Sequence, residues 1–278
     1  MSLYITSLNS GSNGNCYYIG NEREAILVDA GISCREIEKR MKRLGLCVEK
    51  IKAIFVSHEH SDHIAGIPVL AKKHQLPVYI TEATQQHGRL LLNEHLVIRF
   101  RACEPIRVGG LLISAFPKFH DACDPHSFIV EYESVKVGIF TDIGFACDQV
   151  MLHFKQCHAA FLEANYDRDM LIQGSYPYYL KKRIMGGKGH LSNAQALQLV
   201  LAHKPSFMSH LMLSHLSKNN NCPKLVQEIF SQYAGKTKIF VASRYEETPV
   251  YYIDRENLPR TPMKMSHAKN RQIQLSLF

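Results

Sequence analysis

The stretch FVSHEHSDHIAG, residues 55–66, constrains this chain more than any other. It places His58, His60, Asp62 and His63 directly after the apolar run IKAIF. Such a run reads as a buried strand, and a strand end can aim two imidazoles two positions apart at one point. The turn that follows can aim Asp62 and His63 at a second point a few ångströms away. Imidazole and carboxylate together suit Zn²⁺, Mn²⁺ or Fe. A lone histidine is ordinarily a surface or hydrogen-bonded residue. Four metal-capable side chains crowded past one strand call for a shared purpose.

The rest of the chain is compatible with a soluble enzyme. Its 278 residues suffice for one large or two small domains. No apolar run approaches the ~20 residues that span a bilayer. The start, MSLYITSLNSGSNGN, lacks the basic and apolar regions of a signal peptide, so the expected location is cytoplasmic. The eight cysteines include no CxxC pair and suggest no disulfide framework; they read as reduced, packed thiols. Cys123 lies near His120 and could approach a metal there, but a packed thiol is the favoured reading. A formal net charge of +8 fits a polyanionic partner such as nucleic acid, without identifying one.

Strand signals occur at LYITSLNS, CYYIGN and AILVDAG, the first two separated by the turn SGSNGN. A helix follows, capped by Ser33 and ending near Gly45. After strand IKAIFVSH come a short helix IPVLAKKH, a strand LPVYITEAT and helical QQHGRLLL. The segments LVIRFRA, LLISAFPKF, SFIVEYES and VKVGIFTDI predict mainly antiparallel strands. Helix QVMLHFKQC, strand AAFLEAN, a helix capped by Ser192, strand FMSHLMLSHLS, helix PKLVQEIFSQYA and strands KIFVAS and VYYIDR complete the pattern. Two similar series of this kind predict an α/β fold with two packed mixed sheets and helices outside, a four-layer αββα arrangement. Residues 1–258 form the expected domain. Residues 259–278, which contain proline and are basic and aperiodic, form an expected flexible tail.

SHEHSDH resembles the HxHxDH signature of the metallo-β-lactamase superfamily of hydrolases, and further motifs follow in the family's order through roughly residues 3 to 253. The resemblance implies that Asp29, in AILVDAG, supports the metal loop. It implies one metal on His58, His60 and His120, a second on Asp62, His63 and His215, and Asp142 shared between them. Asp142 also fits a strand-end turn. His126 is an alternative to His120, and His210 to His215; the HDA context and the strand-end position favour His120 and His215. Two metals about 3.5–4 Å apart can stabilise both the attacking and the leaving oxygen of a phosphoryl displacement, which suits a phosphodiester substrate.

GGKGHLSN resembles a Gly-His motif of ribonuclease Z, which implies that His190 donates a proton to the leaving oxygen or binds the phosphate. The alternative for His190 is a mere neighbour of the helix cap at Ser192. Asp62 and His190 are the candidate catalytic residues, and Lys188, His190 and Asn165 the candidate substrate contacts. Together NSGSNGNCYYI, ILVDAGIS, FVSHEHSDHIAG, FHDACDP, EANYDRDML, GHLSN and LSHLSKNNN resemble the YycJ (WalJ) branch of the superfamily. That implies a 5′-to-3′ DNA exonuclease of repair or replication; the alternative is an RNA-processing or small-molecule phosphodiesterase. EANYD supplies Glu163, Asn165 and Asp167 as supporting or substrate-positioning groups. Phe119 departs from the small polar residue often found there, which reshapes the pocket without touching the ligands. Asp142 and His215 are 73 positions apart, too few for the domain that β-CASP nucleases insert. The basic Lys181, Lys182, Arg183 and Lys188 read equally as a DNA backbone contact or a solvated helix face.

The last five residues, Gln274, Leu275, Ser276, Leu277 and Phe278, spell QLSLF and resemble the bacterial sliding-clamp-binding peptide. Leu and Phe can anchor in an apolar pocket while Gln fixes orientation, and a tether raises effective concentration.

Overall fold

The structure, a computed structural model, describes residues 2–254. The first half of the chain lays down β1 (Leu3–Asn9), β2 (Cys16–Gly20), β3 (Ala25–Val28), α1 (Cys34–Arg43), β4 (Ile51–Phe55), α2 (Ser61–Ile64), α3 (Ile67–His74), β5 (Val78–Tyr79), α4 (Glu82–His87) and β6 (Val97–Ile98). The second half continues with β7 (Ile106–Val108), β8 (Leu111–Pro117), β9 (His126–Tyr132), β10 (Val135–Phe140), α5 (Asp148–Phe154), β11 (Ala159–Glu163), α6 (Arg168–Gln173) and α7 (Tyr178–Met185). It closes with α8 (Asn193–His203), β12 (His210–Ser214), α9 (Pro223–Ser231), β13 (Lys238–Val241) and β14 (Tyr251–Ile253).

These strands form two 7-stranded sheets, ordered β14-β1-β2-β3-β4-β5-β6 and β13-β12-β11-β10-β9-β8-β7. Each sheet is antiparallel at one end and parallel at the other: β3 to β6 run parallel in the first, β10 to β13 in the second. Parallel neighbours need crossovers, and helices supply them, which puts helices on the outer faces. The inner faces pack on one another through Leu3, Ile5, Tyr17, Phe55, Phe128 and Phe161. The rings of Tyr17 and Phe161 meet at 4.8 Å and those of Phe55 and Phe128 at 5.7 Å. Ile37, Met41 and Leu70 cover the outside of the first sheet, and Val150, Leu199 and Phe230 that of the second. This is the expected αββα sandwich. No helix among the described residues is long and apolar enough to cross a membrane.

Local signals explain most boundaries. The Ser33 hydroxyl accepts from the Glu36 amide to start α1, and Gly45, at φ +70°, lets the chain leave it. Ser192 and Gln195 form a reciprocal capping box on α8. Two expectations need correction. LVIRFRA does not open the antiparallel run. Only Val97–Ile98 pairs, parallel to β5 in the first sheet, and the antiparallel run opens at β7. QQHGRLLL is helical only in Gln85, Gln86 and His87, the end of α4. Thr81 caps α4 one turn earlier, cutting the preceding strand to two residues, and the helix stops at Gly88 before a left-handed Arg89. Helix α6 carried no periodic signal strong enough to read.

Candidate metal centre

Three strands end in the same unusual way. Asp29 follows β3, Asp142 lies just past β10 and His215 follows β12, with φ of 60°, 56° and 57°. Left-handed backbone is uncommon outside glycine, and Asp and His are among the residues that tolerate it. Here it turns each side chain from its strand end toward one crevice. All three strands belong to the parallel portions of their sheets, whose carboxyl ends are where open α/β sheets place their sites. Past β4 the His58–His63 loop enters the crevice from the first sheet. His120 joins from the β8–β9 connection, and His190 precedes α8.

The seven expected donors come together at two foci. At the first, His60 Nδ1 lies 3.1 Å from His58 Nε2 and 3.3 Å from His120 Nε2. At the second, Asp62 Oδ2 lies 3.5 Å from His63 Nε2 and 3.4 Å from His215 Nε2. Asp142 lies between them: its Oδ2 is 3.3 Å from His63 Nε2, and its Oδ1 is 3.8 Å from His120 Nε2. Around a tetrahedral cation with bonds of ~2.0–2.1 Å, adjacent donors are ~3.3–3.4 Å apart. The spacing therefore fits a divalent metal at each focus.

Hydrogen bonding behind the donors fits the same reading. Asp29, fully buried, accepts from His63 Nδ1–H at 2.7 Å and from the Ser57 hydroxyl and amide, each at 2.8 Å. The Ser57 hydrogen is thereby spent, so at 2.9 Å its oxygen accepts from His58 Nδ1–H. His120 Nδ1–H donates to the Gly189 carbonyl at 3.1 Å, and His215 Nδ1–H to Glu163 Oε1 at 2.9 Å. Each of these four rings thus spends its Nδ1 proton outward and presents an Nε2 lone pair to the crevice, the arrangement that carboxylates impose on metal-bound histidines. Asp142 Oδ2 is buried without a hydrogen-bond partner among the described residues. A buried carboxylate oxygen in that state requires a compensating charge.

Electrostatics point the same way. Asp29, Asp142 and Glu163 are buried and Asp62 is partly so. Burial alone would lower the affinity of His215 for a proton, but Asp142, Asp62 and Glu163 raise its pKa to about 10. His63 is likewise pushed well up, against its burial, by Asp142, Asp62 and Asp29. Burial would also raise Glu163, yet His190 and His215 hold it at about 2. A potential that favours protons on two buried imidazoles also favours divalent cations there. Lys118 adds a positive charge beneath the site, buried with its Nζ donating to the Thr141 carbonyl at 2.7 Å, although burial lowers its pKa.

Other sequence candidates fall outside the two foci. His126 donates to the Asp124 carbonyl and packs on Phe100. His210 bonds Ser209 and lies against Phe240 and Tyr251, with its pKa lowered by burial to about 4. Cys123 donates its thiol to Glu59, not toward the donors. Asn165, read as a substrate contact, is 7 % exposed and donates to the His215 carbonyl at 2.8 Å; it braces the His215 turn. Asp167 caps α6. Among the basic residues, Arg183 pairs with Asp121, Lys181 donates to the Ile172 carbonyl and Lys182 lies over the Tyr178 ring; Lys188 is exposed. His190 stands at the rim, 19 % exposed, with Nδ1–H donating to Glu163 Oε1 at 2.7 Å.

Several supporting residues carried no local signal. Asn15 Nδ2 donates to Asp62 Oδ2 at 3.1 Å, and its backbone amide donates to the Asp62 carbonyl at 2.6 Å. Ser10 accepts the His215 amide at 2.8 Å. Both lie in the turn SGSNGN, which reads locally only as a turn. Gly31 permits this approach, since a Cβ there would lie 1.6 Å from the Asp62 carbonyl oxygen.

The family model of the metallo-β-lactamase superfamily matches residues 10–179. Exodeoxyribonuclease YycJ of Bacillus anthracis is 33% identical over 251 residues, 88% of this chain and 94% of that protein. The chain belongs to the metallo-β-lactamase superfamily. Within it, exodeoxyribonuclease WalJ of Streptococcus pneumoniae is 32% identical over 225 residues, 78% of this chain and 83% of its own length, so the YycJ/WalJ branch is the chain's family. The metallo-β-lactamase fold protein YhfI of Bacillus subtilis superimposes with a TM-score of 0.69 at 18% identity, covering 91% of this chain and all of its own, which shows the shared fold. As a metallo-β-lactamase hydrolase, the protein uses divalent metal ions, and its His/Asp clusters are placed to bind them.

Proposed function

We propose that this metallo-β-lactamase protein is a 5′-to-3′ exodeoxyribonuclease of DNA repair or replication. The observation that carries the reading is its 33% identity across 94% of an exodeoxyribonuclease. We assign His58, His60 and His120 to one metal, Asp62, His63 and His215 to a second, and Asp142 to both. When bound, two divalent cations supply positive charge to the attacking and leaving oxygens of the phosphodiester.

The chain's own groups supply positioning and proton transfer. Asp29 fixes His63 directly and His58 through Ser57, so the donor lone pairs are oriented before substrate arrives. Of the four carboxylates, Asp62 is the one with an appreciable opening to solvent, at 20% against 2% or less for Asp29, Asp142 and Glu163; it takes the proton of the attacking water. His190 gives a proton from Nε2 to the leaving oxygen, its Nδ1–H being committed to Glu163. One oxygen of Glu163 holds both His190 and His215, so the proton donor and the metal donor are set by the same atom. Lys188, on the loop before His190, contacts the phosphate backbone.

The test is digestion of end-labelled duplex DNA, single-stranded DNA and RNA by wild type and Asp142→Ala, with Mn²⁺ and Zn²⁺ each supplied. Wild type shortens DNA from the 5′ end and the variant is inactive. A wild type that degrades only RNA, or neither polymer, overturns the reading.

The peptide Gln274, Leu275, Ser276, Leu277 and Phe278 lies outside the described residues, as does the expected boundary at residue 258. Its sequence supports assignment to a sliding-clamp pocket, with the two leucines and Phe278 as anchors. Removal of residues 274–278 abolishes clamp binding in surface plasmon resonance and leaves cleavage of short oligonucleotides unchanged; retained clamp binding overturns the assignment.

A further inference from the structure

Two exposed aromatic side chains lie on the loops that carry the metal donors His120 and Asp142. Phe119 is 46% and Phe145 41% accessible, and their ring centroids are 4.5 Å apart with planes at 32°. Exposed phenyl surface forgoes about 25 cal/mol per Å² of burial, so two such rings held side by side call for a use. Their placement is tight. Phe119 immediately precedes His120, and Phe145 follows Asp142 by three residues. The Gly144 amide donates to the Phe119 carbonyl at 2.7 Å, binding the two loops together. Gly144 is itself pressed against the next loop, where a Cβ would lie 2.2 Å from the Gly187 carbonyl oxygen. That loop carries exposed Lys188 and leads into His190, whose ring is 5.1 Å from His120.

One rim thus combines a π surface, an exposed cation and the proposed proton donor, all within a few residues of metal donors. We propose that Phe119 and Phe145 form a stacking platform for the nucleobase beside the scissile phosphate. This deepens the exonuclease reading and rests on it. The phosphate charge goes to the metal centre and Lys188, while the base face lies on the phenyl pair. Every base has a π face, so stacking holds a nucleotide without reading its identity, as an enzyme that degrades any sequence requires. Base–aromatic stacking of ordinary strength corresponds to about 5- to 160-fold in binding.

The chain contains no tryptophan, so Phe145→Trp installs a single indole at the platform. Its emission is quenched by a strand with phosphorothioate terminal linkages and an intact terminal base, and much less by the same strand made abasic at the nucleotides flanking the first linkage. In cleavage, wild type slows about tenfold on the abasic end. Phe119→Leu and Phe145→Leu keep the apolar bulk but lose the π face. Both slow on normal ends, lose the distinction between normal and abasic ends and retain full metal content, whereas Phe145→Trp keeps the distinction. Equal quenching by both strands, or Leu variants that still discriminate abasic ends as wild type does, overturns the platform. If wild type cleaves no DNA, the exonuclease reading fails, and the indole quenching still decides whether the rings bind a base.

Discussion

At the scale of single residues, the metal donors are only as good as the groups behind them. Asp29 touches no proposed metal, yet it holds His63 at 2.7 Å and reaches His58 through Ser57. Outer partners of this kind are worth about 10–100-fold in metal affinity. Asp29→Asn keeps the shape but offers an amide where a carboxylate oxygen accepts both His63 Nδ1–H and the Ser57 hydroxyl. Metal affinity should fall by about that factor in a chelator-competition titration, with the fold intact by circular dichroism. Unchanged affinity would mean that the Asp29 relay does not orient the donors. Glu163 plays the matching role on the second sheet, and Glu163→Gln should lower both metal affinity and turnover because it loosens His215 and His190 together.

Among elements, the decisive devices are strand ends and the clips that hold helices over them. Left-handed turns after β3 and β12, and one just past β10, convert strand register into side-chain aim. On the outer face of the first sheet, α1 is clipped to α3 through Glu38, whose Oε1 lies 2.6 Å from both Lys73 Nζ and His74 Nε2. Those partners hold the Glu38 pKa at about 2, below the ~4.3 of an unfolded chain. A depressed carboxylate pKa contributes stability that is full above the unfolded value and is lost as pH falls through the folded one. The urea midpoint of wild type should therefore exceed that of Glu38→Gln at pH 6, and the difference should shrink between about pH 4.5 and pH 2. A difference that stays constant over that range would show that the clip is not electrostatic.

Across the whole molecule, the centre joins two halves. His58, His60, Asp62 and His63 come from the first sheet, and His120, Asp142 and His215 from the second. Cations at the two proposed sites would fasten the halves together and favour the native state by mass action. Metal at 100 times its dissociation constant contributes about 2.7 kcal/mol. Chelation should lower the melting temperature of wild type in calorimetry, and that of Asp142→Ala by less, since each focus there has lost its shared donor. The apolar contact between the sheets is independent of metal. Phe161→Ala, at a fully buried position against Tyr17, should cost about 3–5 kcal/mol whether or not metal is present.

The sequence by itself determined which residues could be donors and most of the elements that carry them. Donor chemistry is written in residue type, and a buried strand announces itself by its apolar run. IKAIF running into SHEHSDH, the Ser33 and Ser192 caps, and the choice of His120 and His215 as candidates over His126 and His210 were all legible that way. Where local cues were short or mixed they misled, as in LVIRFRA, whose paired part is two residues in the other sheet. Only the tertiary structure decided what stands behind the donors. Asn15 meets Asp62 across the first sheet's strand ends, Glu163 meets two rings across those of the second, and Ser10 meets His215 because the two sheets fold face to face. Such contacts cross tens to hundreds of positions, and no periodicity along the chain encodes them. The Phe119–Phe145 pair is of the same kind: two unremarkable phenylalanines until folding sets them side by side at the rim of the crevice.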